Sequence, residues 1–274
     1  MIPSPFDYEV ADSVDHALDL LGRSDDAKLL AGGHSLLPLM KLRLAQPSLL
    51  VDVRRIGDLS FVREAGDRIA IGALTSHHDV HHNELLNSDC GIVAHTAGQV
   101  GDPQVRHFGT IGGSVAHGDP ASDMPSVLLA LDAEVVVRGR DGDRTVRASD
   151  FFKGLFEVDL ARQEMITEIR VPKLKGAGWS YQKFHHRAQD WAIVGVAAVA
   201  SNGGANVALT TMGETPLRAR AVEDALSSGA DPASAADRAD EGTSPPSDPF
   251  GSAEYRRSLA KVLVRRALEE ALSR

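Results

Sequence analysis

Ala31-Gly32-Gly33-His34-Ser35-Leu36-Leu37-Pro38 sets a Gly-Gly pair between a short apolar run, Lys28 to Ala31, and a helical pattern, Leu36 to Leu44, with Pro38 near its first turn. Strand, glycine turn, helix is the predicted local order. Backbone without Cβ atoms can approach a ligand closely, and successive N–H groups beside a Ser hydroxyl can bind phosphate oxygens. Thr110-Ile111-Gly112-Gly113-Ser114 repeats the chemistry further on. In a chain with 25 glycines either pair alone reads more simply as a tight turn; together they can hold a pyrophosphate between them. Neither G-x-G-x-x-G nor G-x-x-x-x-G-K-[ST] occurs, so neither a Rossmann dinucleotide site nor a P-loop is supported.

Working outward, Ser13 caps a helix with Val14, Ala17, Leu18 and Leu21 on one face and Gly22 at its end, and Leu49 to Val53 reads as a strand. Phe61 to Glu64 and Arg68 to Gly72 form a polar hairpin around Ala65-Gly66-Asp67. Ser76 caps a helix carrying His77, His78, His81 and His82, Cys90 to Val100 is a small-residue helix, and Gly101 to Gly109 reads as a loop. Asp123 begins a helix through Leu131, Ala133 to Arg138 and Arg144 to Arg147 make a hairpin, and Met165 to Val171 is a strand stopped by Pro172. After the linker-like Lys173 to Gly178 come three strands, Trp179 to His185, Ala192 to Ser201 and Ala205 to Met212, the last two joined through Asn202-Gly203-Gly204. Leu217 to Leu226 and Ala253 to Leu272 read as helices, the second with Arg256 on its polar face, and Ser227 to Ser252 as a mobile loop.

Composition narrows the function classes. The chain has 274 residues, 38 acidic against 29 basic, and a net charge of −9, which argues against a nucleic-acid or anionic-membrane partner. No leader pattern and no apolar run long enough to span a bilayer is visible, so the expectation is a soluble, cytoplasmic protein. The single cysteine, Cys90, cannot hold an iron–sulfur cluster or a cysteine-rich zinc site and reads as a small buried residue. His77/His81 and His78/His82 are i, i+4 pairs, but with no third ligand at diagnostic spacing a solvated polar face is the better reading than a metal site. No catalytic constellation is evident.

The two glycine segments, with Lys41-Leu42-Arg43, Asp119-Pro120-Ala121-Ser122-Asp123, Tyr181-Gln182-Lys183-Phe184 and Tyr255-Arg256-Arg257, resemble the medium, FAD-binding subunit of molybdenum hydroxylases over the whole chain. The aerobic carbon monoxide dehydrogenase medium subunit is the nearest type, within the wider xanthine dehydrogenase family. The resemblance implies an α+β chain: a two-subdomain FAD-binding fold of the vanillyl-alcohol-oxidase/PCMH type over residues 1–56 and 57–174, then a C-terminal domain, 177–274, with a three-stranded antiparallel sheet and helices.

By the same resemblance, Ala31, Gly32, Gly33, His34 and Ser35 with Thr110, Ile111, Gly112, Gly113 and Ser114 bind the FAD diphosphate and its neighbouring sugar groups. Asp123 accepts a hydrogen bond from an FAD hydroxyl, Ile166 meets the adenine or flavin region through its backbone, Lys183 lies near the isoalloxazine, and Trp191 flanks the ring. From the residues alone, Lys183 reads equally as an exposed strand lysine and Asp123 as a helix cap. The implied function is electron transfer from the iron–sulfur clusters of a small partner subunit to FAD and on to quinone, oxygen or NAD. A molybdenum-containing large subunit oxidises the substrate, the assembly is a dimer of heterotrimers, and any membrane contact is made at the inner face through that complex. Two alternatives are a free-standing soluble FAD-dependent oxidoreductase and a nucleotide-binding module without redox chemistry.

Overall fold

The computed structural model describes residues 2–201 and 204–273. Its first sheet is parallel, ordered β1-β3-β2 from Asp7–Val10 (β1), Lys28–Leu30 (β2) and Leu49–Asp52 (β3). The apolar pattern marks β2 and the fully buried β3 but not the edge strand β1, whose first three residues face solvent. Helix Val14–Leu21 (α1) starts where Ser13 accepts from the His16 amide and buries Ala17, Leu18, Leu20 and Leu21. Leu36–Lys41 (α2) is shorter than the apolar spacing predicts. The chain turns left-handed at Arg43 (φ 59°), leaving Leu42 and Leu44 exposed.

The second unit carries the helices His77–His82 (α3), Glu84–Asp89 (α4), Gly91–Gln99 (α5), Pro103–Phe108 (α6), Ile111–His117 (α7), Asp123–Ala130 (α8) and Ala148–Phe151 (α9). Its antiparallel sheet is built from Val62–Ala65 (β4), Arg68–Gly72 (β5), Glu134–Gly139 (β6) and Gly142–Arg147 (β7), and a small hairpin, Phe152–Gly154 (β8) with Glu157–Val158 (β9), precedes its central strand Met165–Pro172 (β10). The order is β4-β5-β10-β6-β7. The predicted loop at 101–109 contains α6, which Asp102 caps through the Val105 amide with Pro103 in the first turn. Likewise 111–117 is helical, so the second glycine pair opens a helix and is not a free loop.

The third unit has a four-stranded sheet, ordered β11-β12-β13-β14, from Trp179–Phe184 (β11), Val194–Ser201 (β12), Gly204–Thr210 (β13) and Leu217–Arg218 (β14). The expected three strands are present and gain β14, which sequence spacing merges with helix Arg220–Ser227 (α10). The predicted turn at Asn202-Gly203 lies outside the described residues. The segment 227–252 is not a structureless loop: it holds Pro232–Ala236 (α11) and buries Ala235, Ala236 and Ala239 in the core shared with Ala253–Leu272 (α12). Arg256 is not on a solvated face either. At 2% exposure it donates to the Ile193 carbonyl and pairs with Asp248 at 2.6 Å. Apolar burial drives this packing, and the buried guanidinium ties the 248–252 turn to the sheet.

All eight residues of α8 are buried, between the second unit's core and β12 and β13. Its middle and its C-terminal end are fixed from the third unit: Ser126 Oγ lies 2.6 Å from Thr210 Oγ1, and Arg218 and Asn206 donate to the Leu129 and Ala130 carbonyls. No helix among the described residues is long and apolar enough to cross a membrane.

Candidate cofactor-binding site

The two glycine segments meet. A Cβ on Gly32 would overlap the Phe108 carbonyl and come within 2.7 Å of Gly109 Cα, so the first segment docks directly on the residues leading into the second. The His34 ring lies 5.8 Å from that of Phe108. Gly33 has φ +75°, a conformation L side chains rarely adopt, and it turns the chain into α2. The first ladder bond of that helix runs from the Leu37 amide to Gly33 O, so the amides of His34, Ser35 and Leu36 precede the ladder. Ser35 makes no capping hydrogen bond of its own.

The second segment is built differently. Thr110 Oγ1 caps α7 by accepting from the Gly113 amide at 3.1 Å, while the Ile111 and Gly112 amides donate to Thr75 O and Ala73 O. Those amides are engaged within the protein. What the segment presents is the exposed, side-chain-free surface of Gly113, whose added Cβ would meet only Thr110 Oγ1 at 2.9 Å and Ala31 Cβ at 3.9 Å, and the part-buried Ser114. Thr110, Ile111 and Gly112 are buried and shape this surface from beneath. Gly112 packs on the Ala73 backbone, where a Cβ would sit 2.6 Å from its carbonyl oxygen. Gly113 thus leaves open backbone next to Ala31, where an added Cβ would reach ordinary contact, and Ala31 begins the segment that leads to the early amides of α2; side-chain-free backbone beside amides outside a helix ladder fits a diphosphate-bearing cofactor such as FAD.

Asp123, first residue of α8, is buried with both oxygens occupied: Tyr181 Oη donates to Oδ1 at 2.6 Å and Lys183 Nζ to Oδ2 at 2.8 Å. Lys183 also donates to the Gln99 carbonyl at 3.0 Å. Its side chain is 3% exposed, so it is not a solvent-facing strand lysine. Asp123 does not cap α8; Ser122 holds the cap position. Burial pushes the Asp123 carboxyl up against the opposing pull of Lys183, and burial with the neighbouring Asp123 charge raises the Tyr181 phenol well above its usual value. Tyr181 enters the sequence reading only as part of a resembling segment, with no role at the site, and Gln99 and Ala73 do not enter it at all. The i, i+2 spacing of Tyr181 and Lys183, which puts both on one face of β11, was the available signal for the first.

Ile166 is a core residue of β10 opposite Val137, and its neighbour Thr167 accepts from the Ala73 amide, whose own carbonyl holds Gly112. Trp191 is 55% exposed, on a segment whose Gln189 and Asp190 backbones pack on Gly101.

The histidines divide. His77 is 3% exposed, its Nδ1 has no partner, and burial, assisted by Arg106, pulls it down to about 4. The polar-face reading therefore fails for this ring, while His78, His82 and His107 stack nearer the surface, with His78 4.3 Å from His82 and 4.1 Å from His107. No group of three or more His, Cys, Asp or Glu among the described residues is arranged to hold a metal ion. Cys90 is fully buried, and burial raises its thiol to about 12.

Comparison with known proteins bears on this site. Residues 4–174 match the family model described as the FAD binding domain in molybdopterin dehydrogenase, and residues 179–271 match the CO dehydrogenase flavoprotein C-terminal domain. The chain is 42% identical to the carbon monoxide dehydrogenase medium chain of Hydrogenophaga pseudoflava, with 100% of this chain and 99% of that one covered. It is 38% identical to the glyceraldehyde dehydrogenase medium chain of Sulfolobus acidocaldarius, with 98% and 99% covered. The solved carbon monoxide dehydrogenase of Hydrogenophaga pseudoflava lacking the Mo-pyranopterin moiety superposes with a TM-score of 0.96 at 43% identity, covering 100% of this chain and 99% of that one. With its paired FAD-binding subdomains and C-terminal sheet and helices, the chain belongs to the FAD-binding medium-subunit family of the molybdenum hydroxylases, of the carbon monoxide dehydrogenase type.

Proposed function

We propose that this chain carries electrons from the iron–sulfur clusters of a small partner subunit, by way of FAD, to an external acceptor such as quinone, oxygen or NAD. The observation that supports this most is the side-by-side packing of the two glycine segments, Gly32 on Phe108 and Gly109 and Ala31 beside Gly113. The cofactor lies between residues 1–56 and 57–174, with 177–274 bracing the second of these. The amides of His34 and Ser35 bind diphosphate oxygens, Gly113 admits it, Ser35 and Ser114 supply hydroxyls, and Asp123 accepts from an FAD hydroxyl. Ile166 and Trp191 flank the cofactor from the sheet and the outer loop. When bound, FAD supplies exchange between one-electron and two-electron carriers, which amino-acid side chains do not offer.

A single cysteine fits a division of labour in which the clusters reside in another chain. Molybdenum resides in a large partner subunit, and the assembly is a cytoplasmic dimer of heterotrimers. Relatives of nearly full-length similarity bear the names of carbon monoxide and glyceraldehyde dehydrogenases, which supports a substrate choice made outside this chain. The test is to purify the chain under native conditions and record its absorption spectrum and its companions. Flavin bands with a cysteine-rich chain and a molybdenum-containing chain are expected. No flavin even after FAD addition contradicts the proposal, and substrate turnover with oxygen by the chain alone favours a free-standing oxidoreductase.

A further inference from the structure

We infer that the ring stack of His78, His82 and His107 is an acid-sensitive latch that holds α6 on α3 and, through Phe108 and Gly109, keeps the first glycine segment in place for the cofactor. The half-buried His78 ring touches two exposed ones. Its centroid is 4.3 Å from that of His82 on α3 and 4.1 Å from that of His107 on α6, the second pair stacked at 22°. Nδ1 of His82 is 2.8 Å from the His78 carbonyl, and Nδ1 of His107 is 2.7 Å from the Pro103 carbonyl. A carbonyl only accepts, so both nitrogens carry hydrogen, and an added proton goes to Nε2 of a ring that its own helix holds in the stack. No residue of α6 is buried, so few contacts keep this helix where it is. Among them are the His78–His107 pair, the bond from Arg106 to Val100 O at 2.6 Å and that from the His77 amide to Gly109 O at 2.9 Å. The end of α6 carries the coupling: the Phe108 carbonyl and Gly109 Cα are what a Cβ on Gly32 would strike, and the Phe108 ring lies 5.8 Å from that of His34.

Stacked neutral imidazoles attract, whereas two imidazolium ions at this separation repel. His107 of α6 with His82 and His81 of α3 oppose protonation of His78, and Asp79 of α3, which also accepts from Ser76 Oγ at 2.7 Å, favours it. Of the other elements packed on α3, α5 carries His95, whose ring lies against Trp179, and α4 carries Glu84 and Asp89, the latter accepting from Ser88 Oγ. Arg106 of α6 is turned to the Val100 carbonyl. Burial, with the His107 and His82 charges, holds His78 below the ordinary histidine value. A ring whose pKa is lower in the packed than in the separated arrangement favours packing above pH ~6.5 and opposes it as pH falls. Acid thus drives α6 off α3, and the surface on which Gly32 docks goes with it.

The inference rests on the reading that FAD meets the first glycine segment, so the test has one readout with the cofactor and one without it. Full-length wild type, His78→Phe and His107→Phe are compared at about pH 7.5 and about pH 5.5, one unit to either side of the ordinary histidine value. Each substitution keeps a ring in the stack and removes its proton acceptor. Flavin fluorescence gives the FAD Kd. Hydrogen exchange in the FAD-free chain, corrected for the intrinsic effect of pH, is read at the Arg106 and Gly109 amides, which close α6 onto Asp102 O and Val105 O. In wild type the Kd is expected to rise about tenfold at the lower pH, the factor by which an imidazole one unit below its ordinary value prefers its proton, and the protection of both amides to fall by about as much. In both variants the acid change should shrink to about twofold or less in each readout. An acid loss as large in the variants as in wild type, or none in wild type, overturns the inference. Lost protection at α6 in wild type alone, with a constant Kd, overturns the coupling to the cofactor. A chain that binds no FAD at either pH while α6 still responds denies instead the reading on which the coupling rests. If one variant does not fold, the other decides.

Discussion

The two Gly-Gly pairs look alike in sequence and do opposite things. In the first, Gly32 lets backbone press on Phe108 and Gly33 supplies a left-handed turn into α2, whose first amides lie outside the ladder. In the second, Gly112 is locked against Ala73 and its amides are engaged, so only Gly113 lies open. One segment offers donors and the other offers space. Identical dipeptides thus divide into residues needed by the fold and residues needed by the ligand, and each pair contributes one that packs the two segments into place.

That contrast can be broken by substitution, taken in order of lost stability. Gly112→Ala should cost about 3 kcal/mol, because the new Cβ meets backbone that cannot swing away; chemical denaturation within about 0.5 kcal/mol of wild type would show the second segment to be loose. His77, at α3, donates its amide to Gly109 O, so it braces the same segment. Its folded pKa of about 4 lies below the ordinary histidine value of 6.5, so the unfolded chain binds more protons between these limits. Stability is therefore present above pH ~6.5 and falls by roughly 2–3 kcal/mol as pH drops toward ~4. His77→Phe should flatten that part of the pH–stability curve, and an unchanged slope would place the titration elsewhere. Gly33→Ala should cost roughly 1–2 kcal/mol through its positive φ and also weaken FAD binding. Gly113→Leu should cost about 1 kcal/mol, since its Cβ would press on the capping Thr110 Oγ1, yet abolish FAD binding.

Much of this site was legible in the sequence because it depends on backbone. Gly-Gly beside an apolar run, Ser13 and Ser76 as caps, and the strand patterns of β3 and β12 all follow from local chemistry. What was not legible depends on long-range pairing. Asp123 and Lys183 each have a bland local explanation, and only docking of β11 on α8 joins them. Arg256 sits in an amphipathic pattern that favours solvent, but the Ile193 carbonyl and Asp248 satisfy it inside. His77 begins a run of polar residues and is buried because α5 and α6 cover its side of α3. The engagement of the Ile111 and Gly112 amides was equally invisible, since their acceptors, Thr75 and Ala73, lie far back in the chain.

The most direct question is whether FAD lies against the open backbone of Gly113 beside Ala31. Wild-type chain and Gly113→Leu, each shown folded by a cooperative thermal melt, are titrated with FAD and read by flavin fluorescence quenching. The account predicts one FAD per wild-type chain and none on the variant. Equal binding by both would put the cofactor elsewhere, and binding by neither would deny the chain its flavin.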